Sequence, residues 1–280
     1  MKWPSTLKLV GEQTRYQVLT FMRSPVGLFF TIGLPLFMLV LFNALFGDGT
    51  VDTPAGSWSV QQFYTGGLAA FTAVSATYTN LVNMVPIRRD DGILKRWRST
   101  PIPPSVYLTG WILGALSVAL LGVVLQLTLG VVAYDLTIDV AKVPAMIVTF
   151  VIGVAAFAAL GLAVAGLVPN ADSAPAVANA TILPLAFVSD VFIPLEDPPR
   201  WLDLIGNIFP LKPFVNSFQN TLNPMVDAPG FTWDKMVVVI AWGVVGVVVA
   251  RSSFTWEPSA SGSRRDKRRR SRSRRAAAAS

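Results

Sequence analysis

Residues 86–106 read PIRRDDGILKRWRSTPIPPSV and form the most charged stretch ahead of the C-terminal tail. Its chemistry is recognition rather than catalysis. The chain has no histidine and no cysteine, so a Ser-His or Cys-His relay is excluded. No disulfide can form, and a zinc site would rest on carboxylates alone. No G-x-x-x-x-G-K-[ST] run is present to cradle nucleotide phosphates, and the kinase and dinucleotide glycine patterns are absent. Within the loop, Asp90 and Asp91 are expected to open a short helix and Lys95, Arg96 and Arg98 to close it, an order that suits the helix dipole. Pro101 then stops it. Ile93, Leu94 and Trp97 add apolar anchors that a plain connection does not need. The segment Arg89, Asp90, Asp91, Gly92, Ile93, Leu94, Lys95, Arg96, Trp97 and Arg98 therefore reads as a docking surface for a cytoplasmic partner. The alternative reading is charge anchoring of the flanking spans.

Other polar residues lie in apolar surroundings. Asp190 reads either as an interfacial carboxylate reaching water or as a substrate or gating contact. Asn43, Gln126, Asn179 and Thr181 are neutral, and such residues more often bond between helices than to a ligand. Asn43, Asn179 and Asp190 are the candidates for lining a pathway. Acidic residues at midplane depth, which ion-coupled carriers use, are otherwise missing.

The elements that position these residues are membrane spans. Of 280 residues 52% are hydrophobic and 14% charged, against roughly 25% charged in soluble domains. Runs with at most one charge and long enough to cross a bilayer fall at about 26–46 (with Pro35 expected to kink it), 63–85, 107–131, 143–168, 176–193 and 236–254. Residues 5–24 read as an amphipathic interfacial helix capped by Ser5, with Leu7, Val10, Val18, Phe21 and Met22 on one face and Lys8, Glu12 and Arg15 opposite. Between Pro199 and Pro210, Trp201, Leu204, Ile205, Ile208 and Phe209 share a face, as in a short re-entrant or interfacial helix. The expected fold is an all-α integral membrane protein with six transmembrane helices. Its parts are residues 1–25 as an N-terminal helix, 26–254 as the membrane domain and 255–280 as a basic disordered tail. The tail dominates the charge: residues 251–280 carry +8 of the total +7, leaving −1 for the rest. Nucleic-acid binding is not expected from it; membrane lipid is the natural contact. The N-terminal region does not read as a cleaved signal, because its first apolar run is too long. Lys and Arg crowd the N-terminus, the 86–106 loop and the tail, which predicts a multi-pass protein with both termini cytoplasmic.

The residues resemble the type-2 ABC transporter permease family, including daunorubicin-resistance-like exporters. The resemblance spans about residues 10–252. Its opening pattern is Arg23-x-Pro25 followed by Pro35 and Phe42. Its loop is Arg89-x-x-Gly92-x-x-Lys95-Arg96-x-Arg98-x-Thr100-Pro101, then Pro104, Leu108 and Gly110. Its late signature is Ser189, Phe192-x-Pro194, Pro199-x-Trp201-Leu202 and Phe209-Pro210-Leu211. Asp190 departs from the small residue, such as glycine, that the family usually places there.

The resemblance implies two six-helix subunits per pore and a separate cytoplasmic ATPase that holds ATP and magnesium, with no cofactor in this chain. It implies ATPase contact through the 86–106 loop and the N-terminal helix, where Glu12 and Arg15 are the candidates. The expected function is export of a hydrophobic or amphiphilic compound across the plasma membrane. Export of an envelope lipid or glycan precursor, or a non-transporting assembly subunit, are the alternatives.

Overall fold

The computed structural model describes residues 5–47, 49–53, 56–194, 198–254 and 257. The expectation for the basic tail falls almost wholly outside them. Ten helices and one hairpin are found among the described residues.

Helix α1 spans Thr6–Met22, and the Ser5 hydroxyl accepts from Lys8 N at its start. The expected apolar face is only partly covered by protein, with Val10, Val18 and Phe21 half-buried. Leu7 is 85% exposed and Met22 is also exposed, whereas Gln13 is buried. The reason lies in helix α5, Pro104–Tyr134. A Cβ at Gly110 would meet the Gln13 side chain at 2.4 Å, and one at Gly114 would meet Gln17 at 2.7 Å. Two glycines one turn apart open a groove that α1 enters on its glutamine side. Leu7 and Met22 lie outside that contact, while Phe21 packs on the core.

Helix α2, Pro25–Phe46, starts at a Ser24 cap with Pro25 in its first turn. The disturbance expected at Pro35 takes the form of a π turn, Phe29–Gly33, just upstream, where Leu34 N bonds to Phe29 O. A wider turn accommodates a ring that cannot donate and would crowd the preceding carbonyl. After it comes a hairpin absent from the all-helical expectation, β1 (Thr50–Thr53) antiparallel to β2 (Gly56–Ser59) with Val51 opposite Trp58. Both of those side chains are buried, and Trp58 packs edge-on against Phe63.

Helix α3 covers residues 60–90, as Val60–Val74, a π turn Ser75–Thr79, and Asn80–Asp90. Between Gln62 and Tyr78 only Phe71 is partly exposed. Thr72 and Thr77 hydroxyls bond back to Leu68 O and Ala73 O. The helix passes through Pro86 to Asp90, beyond the expected end at 85. A short helix α4, Ile93–Arg98, follows.

The remaining elements are α6 (Val143–Leu167), α7 (Ala174–Phe187), α8 (Arg200–Ile208), α9 (Leu211–Leu222) and α10 (Trp233–Ser253). The fifth expected span is therefore shorter than its apolar run. Its helix has 14 residues, about 21 Å at 1.5 Å per residue, because the chain turns away at 188–190. Helix α9 is not among the expected elements; it is buried among α3, α6 and α10. Among the described residues four helices are long and apolar enough to cross a membrane: Pro25–Phe46, Ser105–Tyr134, Val140–Leu167 and Trp233–Ser253. The protein is mostly helical and multi-pass.

Close packing rests on glycines. A Cβ at Gly153 of α6 would lie 2.0 Å from the Phe214 ring of α9, and one at Gly246 of α10 would lie 2.8 Å from Leu160 N. Gly153→Ala should lower stability by about 1–3 kcal/mol through overpacking. Gly11→Ala, on α1 with nothing within 4 Å, should raise it by about 0.5–1 kcal/mol. Thermal unfolding of the purified variants in detergent reads both. Equal melting points would show that α9 is not seated on Gly153.

Candidate functional site

The 86–106 loop is held from within. Gly92 enters it at φ +71°, a left-handed conformation that glycine adopts without steric cost. Leu94 is fully buried with Leu81, Val85, Tyr107 and Leu162. The Trp97 ring lies 4.8 Å from Tyr107, which lies 4.8 Å from Trp111. Two of the expected anchors thus face the protein, Leu94 wholly and Trp97 in large part, with Ile93 half-buried. They fasten α4 to the base of α5. Asp91, Lys95, Arg96 and Arg98 are exposed.

Arg89 is also turned inward. It is 4% exposed, and its Nη2 donates to Val168 O at 2.8 Å, at the end of α6. Its Nε lies 3.6 Å from Asp90 Oδ1. Asp90 Oδ2 accepts from Ala171 N at 2.8 Å, in the turn leading into α7. Asp90 and Asp91 therefore sit at the C-terminal end of α3 and do not open α4 as expected. Carboxylates are disfavoured at that dipole end, and for Asp90 the guanidinium and the backbone N–H compensate. The pair clamps α3 to the α6–α7 connection. On α1, Glu12 and Arg15 are exposed. Both α1 and α4 pack on the first turns of α5, which is the platform they share.

The three pathway candidates do not form one site. Asn43 is buried, bonds to Leu39 O through its amide, and lines a cavity of about 660 Å³ with Phe42, Phe46, Tyr64 and Phe192. Asn179 is exposed on α7. Asp190 is 8% exposed and belongs to a charge cluster that the sequence did not disclose. Its Oδ2 accepts from Asn216 Nδ2 at 3.1 Å and lies 3.7 Å from Lys212 Nζ. Its carbonyl accepts from Gln219 Nε2, which also donates to Phe63 O. Lys212 Nζ is 2.9 Å from Asp203 Oδ1, and Lys235 Nζ donates to Asn216 Oδ1 at 3.4 Å. The cluster joins the end of α7 to α8, α9 and α10. Nearby, Lys142 Nζ donates to Asn223 O at 2.7 Å and caps the C-terminus of α9. In the sequence, Lys142 and Lys212 count only as outer-segment charge. A lysine set between apolar neighbours, as in Leu211-Lys212-Pro213-Phe214, is the signal available there.

The Lys212 bond holds the Asp203 carboxyl below its ordinary value. This pairing is complete above the ordinary carboxylate range and is lost as pH falls through the lowered value. Asp190 itself has φ +57°. Its departure from a small residue is explained by that backbone: it is a conformation glycine supplies freely and aspartate tolerates. Asp190→Gly and Asp190→Ala both lose the carboxylate, so the gap between them reads the turn alone. The Ala variant should be less stable than the Gly variant by about 1 kcal/mol, measured by thermal unfolding. Identical stabilities would mean that the turn does not require a left-handed residue.

The ABC-2 type transporter family matches this chain over residues 10–223. A daunorubicin resistance ABC transporter permease protein of Streptomyces coeruleorubidus is 28% identical over 239 residues, which cover 82% of this chain and 79% of the relative. A protein of Bacillus subtilis (strain 168) named as a transport permease is 18% identical over 245 residues, 88% of this chain and 96% of the relative. With apolar helices long enough to cross a bilayer, the chain belongs to the ABC-2 type transporter family and is the multi-pass membrane subunit of an ABC transporter.

Proposed function

We propose that this subunit exports a hydrophobic or amphiphilic compound, drug-like or antibiotic-like, across the plasma membrane, driven by ATP hydrolysis in a cytoplasmic ATPase that docks on α4. The observation that carries this reading is the attachment of α4. Its exposed face is basic, while its apolar face is fixed to α5 and the adjoining end of α3 is fixed to α6 by Arg89. A push on α4 is thereby delivered to α3, α5 and α6 together. Nucleotide state in the partner would bias the permease between two conformations. The partner supplies ATP and magnesium, and this chain has no motif for them.

Six crossings with both termini cytoplasmic fit the way cross-links sort the helix ends. One set joins Gln62 to Thr137, Lys142 to Asn223, and Tyr64 to Phe192. The other joins Arg89 to Val168, Asp90 to Ala171, and Ser253 to Ala163. Each set uses the ends that would share a side if α2, α3, α5, α6, α7 and α10 all cross. Helices α8 and α9 then lie on the outer side, with Trp201, Leu204 and Ile208 of α8 exposed to lipid. A second permease subunit is proposed to pack on α7, where Ala176, Asn179 and Ala180 are exposed and small enough for close approach.

Orientation is tested by single cysteines in this cysteine-free chain. Ser57→Cys should react with an impermeant thiol reagent on intact cells, and Ser99→Cys only after lysis. The reverse pattern would invert the topology.

Coupling is tested by two variants. Arg96→Glu should weaken co-purification of the ATPase about tenfold, because a rim charge is reversed. Arg89→Gln should retain the ATPase and still lose most export in inside-out vesicles, because it cuts the clamp behind the docking face. Full export by the Arg89 variant would remove the clamp from the transmission route. Unchanged partner binding by the Arg96 variant would remove α4 from the interface.

A further inference from the structure

Arg88 follows a different course from Arg89. Its guanidinium lies 5.8 Å from the centre of the Tyr16 ring on α1 and 5.7 Å from that of Trp111 on α5. The Tyr107 hydroxyl is beside it. No carboxylate pairs with it among the described residues. It borders a cavity of about 500 Å³ between α1, α2, α3 and α5, and no other lining residue carries a charge.

The cavity wall changes character along the chain. Gln17, Thr20 and Ser24 line it before Pro25 and Val26 and Phe30 after it, while Arg88 and Asn83 of α3 and Ala115 and Val118 of α5 complete the wall. Gln17 Nε2 and Trp111 Nε1 are donors, and Asn83 Oδ1 an acceptor, with no partner among the described residues, so the wall offers hydrogen bonds to a polar headgroup, and the Arg88 charge is what favours an anion over a cation. The polar-to-apolar change coincides with Pro25, where the chain passes from the interfacial helix into its first apolar span. Val26 and Phe30 are exposed, and the groove is continuous with the lipid-facing surface. A bilayer amphiphile has the same gradient and the matching charge.

We propose that this groove holds an anionic phospholipid of the cytoplasmic leaflet, its phosphate at the Arg88 guanidinium and its chains along Val26, Phe30, Ala115 and Val118. The leaflet assignment rests on the proposed topology, which cysteine labelling tests separately. A guanidinium already held between two rings loses little freedom on binding phosphate, and its planar fork suits phosphate oxygens. The lipid would sit under α1 and complete the seating of that helix on α5.

The test uses purified full-length protein in mild detergent, with no ATPase and no cargo, equilibrated with equal phosphatidylglycerol and phosphatidylcholine. Native mass spectrometry reads the retained lipid. Wild type should retain phosphatidylglycerol preferentially. Arg88→Gln should reduce that preference about fivefold, corresponding to about 1 kcal/mol for one basic contact to an anionic lipid. Arg88→Lys should keep most of it, and Lys8→Gln, exposed on α1 outside the groove, should match wild type. Should Arg88→Gln fail to fold, Ala115→Leu fills the groove with Arg88 intact and should lower retention of phosphatidylglycerol. No preference in wild type, an unchanged ratio in Arg88→Gln, or an equal loss in Lys8→Gln would overturn the proposal. Because no transport is measured, failure of the export reading would leave this result standing, and the reverse also holds.

Discussion

Residues Gln62 to Tyr78 of α3 are surrounded by protein on nearly every side, and that burial sets the terms for the helices around them. Lipid offers no partner to a polar group, so a helix carrying Gln62, Thr65, Thr72, Ser75 and Thr77 must be satisfied internally. The solution has two parts. Hydroxyls return to their own backbone, as Thr65 does to Gln61 O and Thr72 to Leu68 O. Small residues, Gly66, Gly67, Ala69, Ala70, Ala73 and Ala76, then let neighbouring helices close in until no lipid intervenes. Gly66 is near enough to α9 that a Cβ would lie 3.1 Å from Gln219 Cα.

Charge is confined to the two ends of this packed centre and does different work at each. At the α4 end, Arg89 and Asp90 convert the last turn of α3 into a bracket for the α6–α7 connection. At the other end, Asp190, Asp203, Lys212 and Lys235 draw together the end of α7, α8, α9 and α10, alongside the bonds from Gln219 to Asp190 O and from Trp242 to Ile208 O. Removing one member of a buried pair costs about 3–5 kcal/mol, since it leaves the other charge unmatched. Both clusters therefore act as fixed points, and α7 is tethered at each end while exposing much of its length. Its buried stripe is Ala174, Ala178, Ile182 and Ala186, which offers little volume to hold it in one position.

The long apolar runs were legible because a bilayer imposes length and composition directly: α2, α5, α6 and α10 lie where the sequence placed them, and the family resemblance is borne out. Ser5 was readable as a cap by its type and position. Three features were not legible, each for a physical reason. The hairpin formed by β1 and β2 is too short to show alternation, and only Val51 and Trp58 mark its buried side. Helix α9 carries Leu211, Phe214, Val215, Phe218 and Leu222 at helical spacing, but Lys212, Asn216 and Gln219 broke the apolar run that identifies spans. The protein-facing side of α1 was not legible because apolar periodicity marks the side of an interfacial helix that meets the membrane, whereas the contact with α5 is decided by what Gly110 and Gly114 leave room for. In the 86–106 loop Ile93, Leu94 and Trp97 were legible as apolar anchors, but a sequence does not tell an anchor that faces a partner from one that faces its own protein.

That last ambiguity bears on how motion could pass through the protein. Had Leu94 and Trp97 pointed outward, a partner would have gripped α4 by apolar contacts, and α4 could have moved with the partner while sliding over the permease. With both residues turned inward, the slack is removed on the permease side. Leu94 is locked among residues of α3, α5 and α6, and Trp97 stacks on the aromatic row at the base of α5. In the proposed docking, the external contact would be left to the exposed Asp91, Lys95, Arg96 and Arg98, whose exposed pairings are individually worth about 0–1 kcal/mol. A weak, charge-guided grip on a rigidly mounted lever suits a partner that must engage and release within a cycle. In the proposed mechanism the strength resides in the mounting, where Arg89 bonds to Val168 O and lies beside Asp90, joining α3 to the α6–α7 connection on its far side.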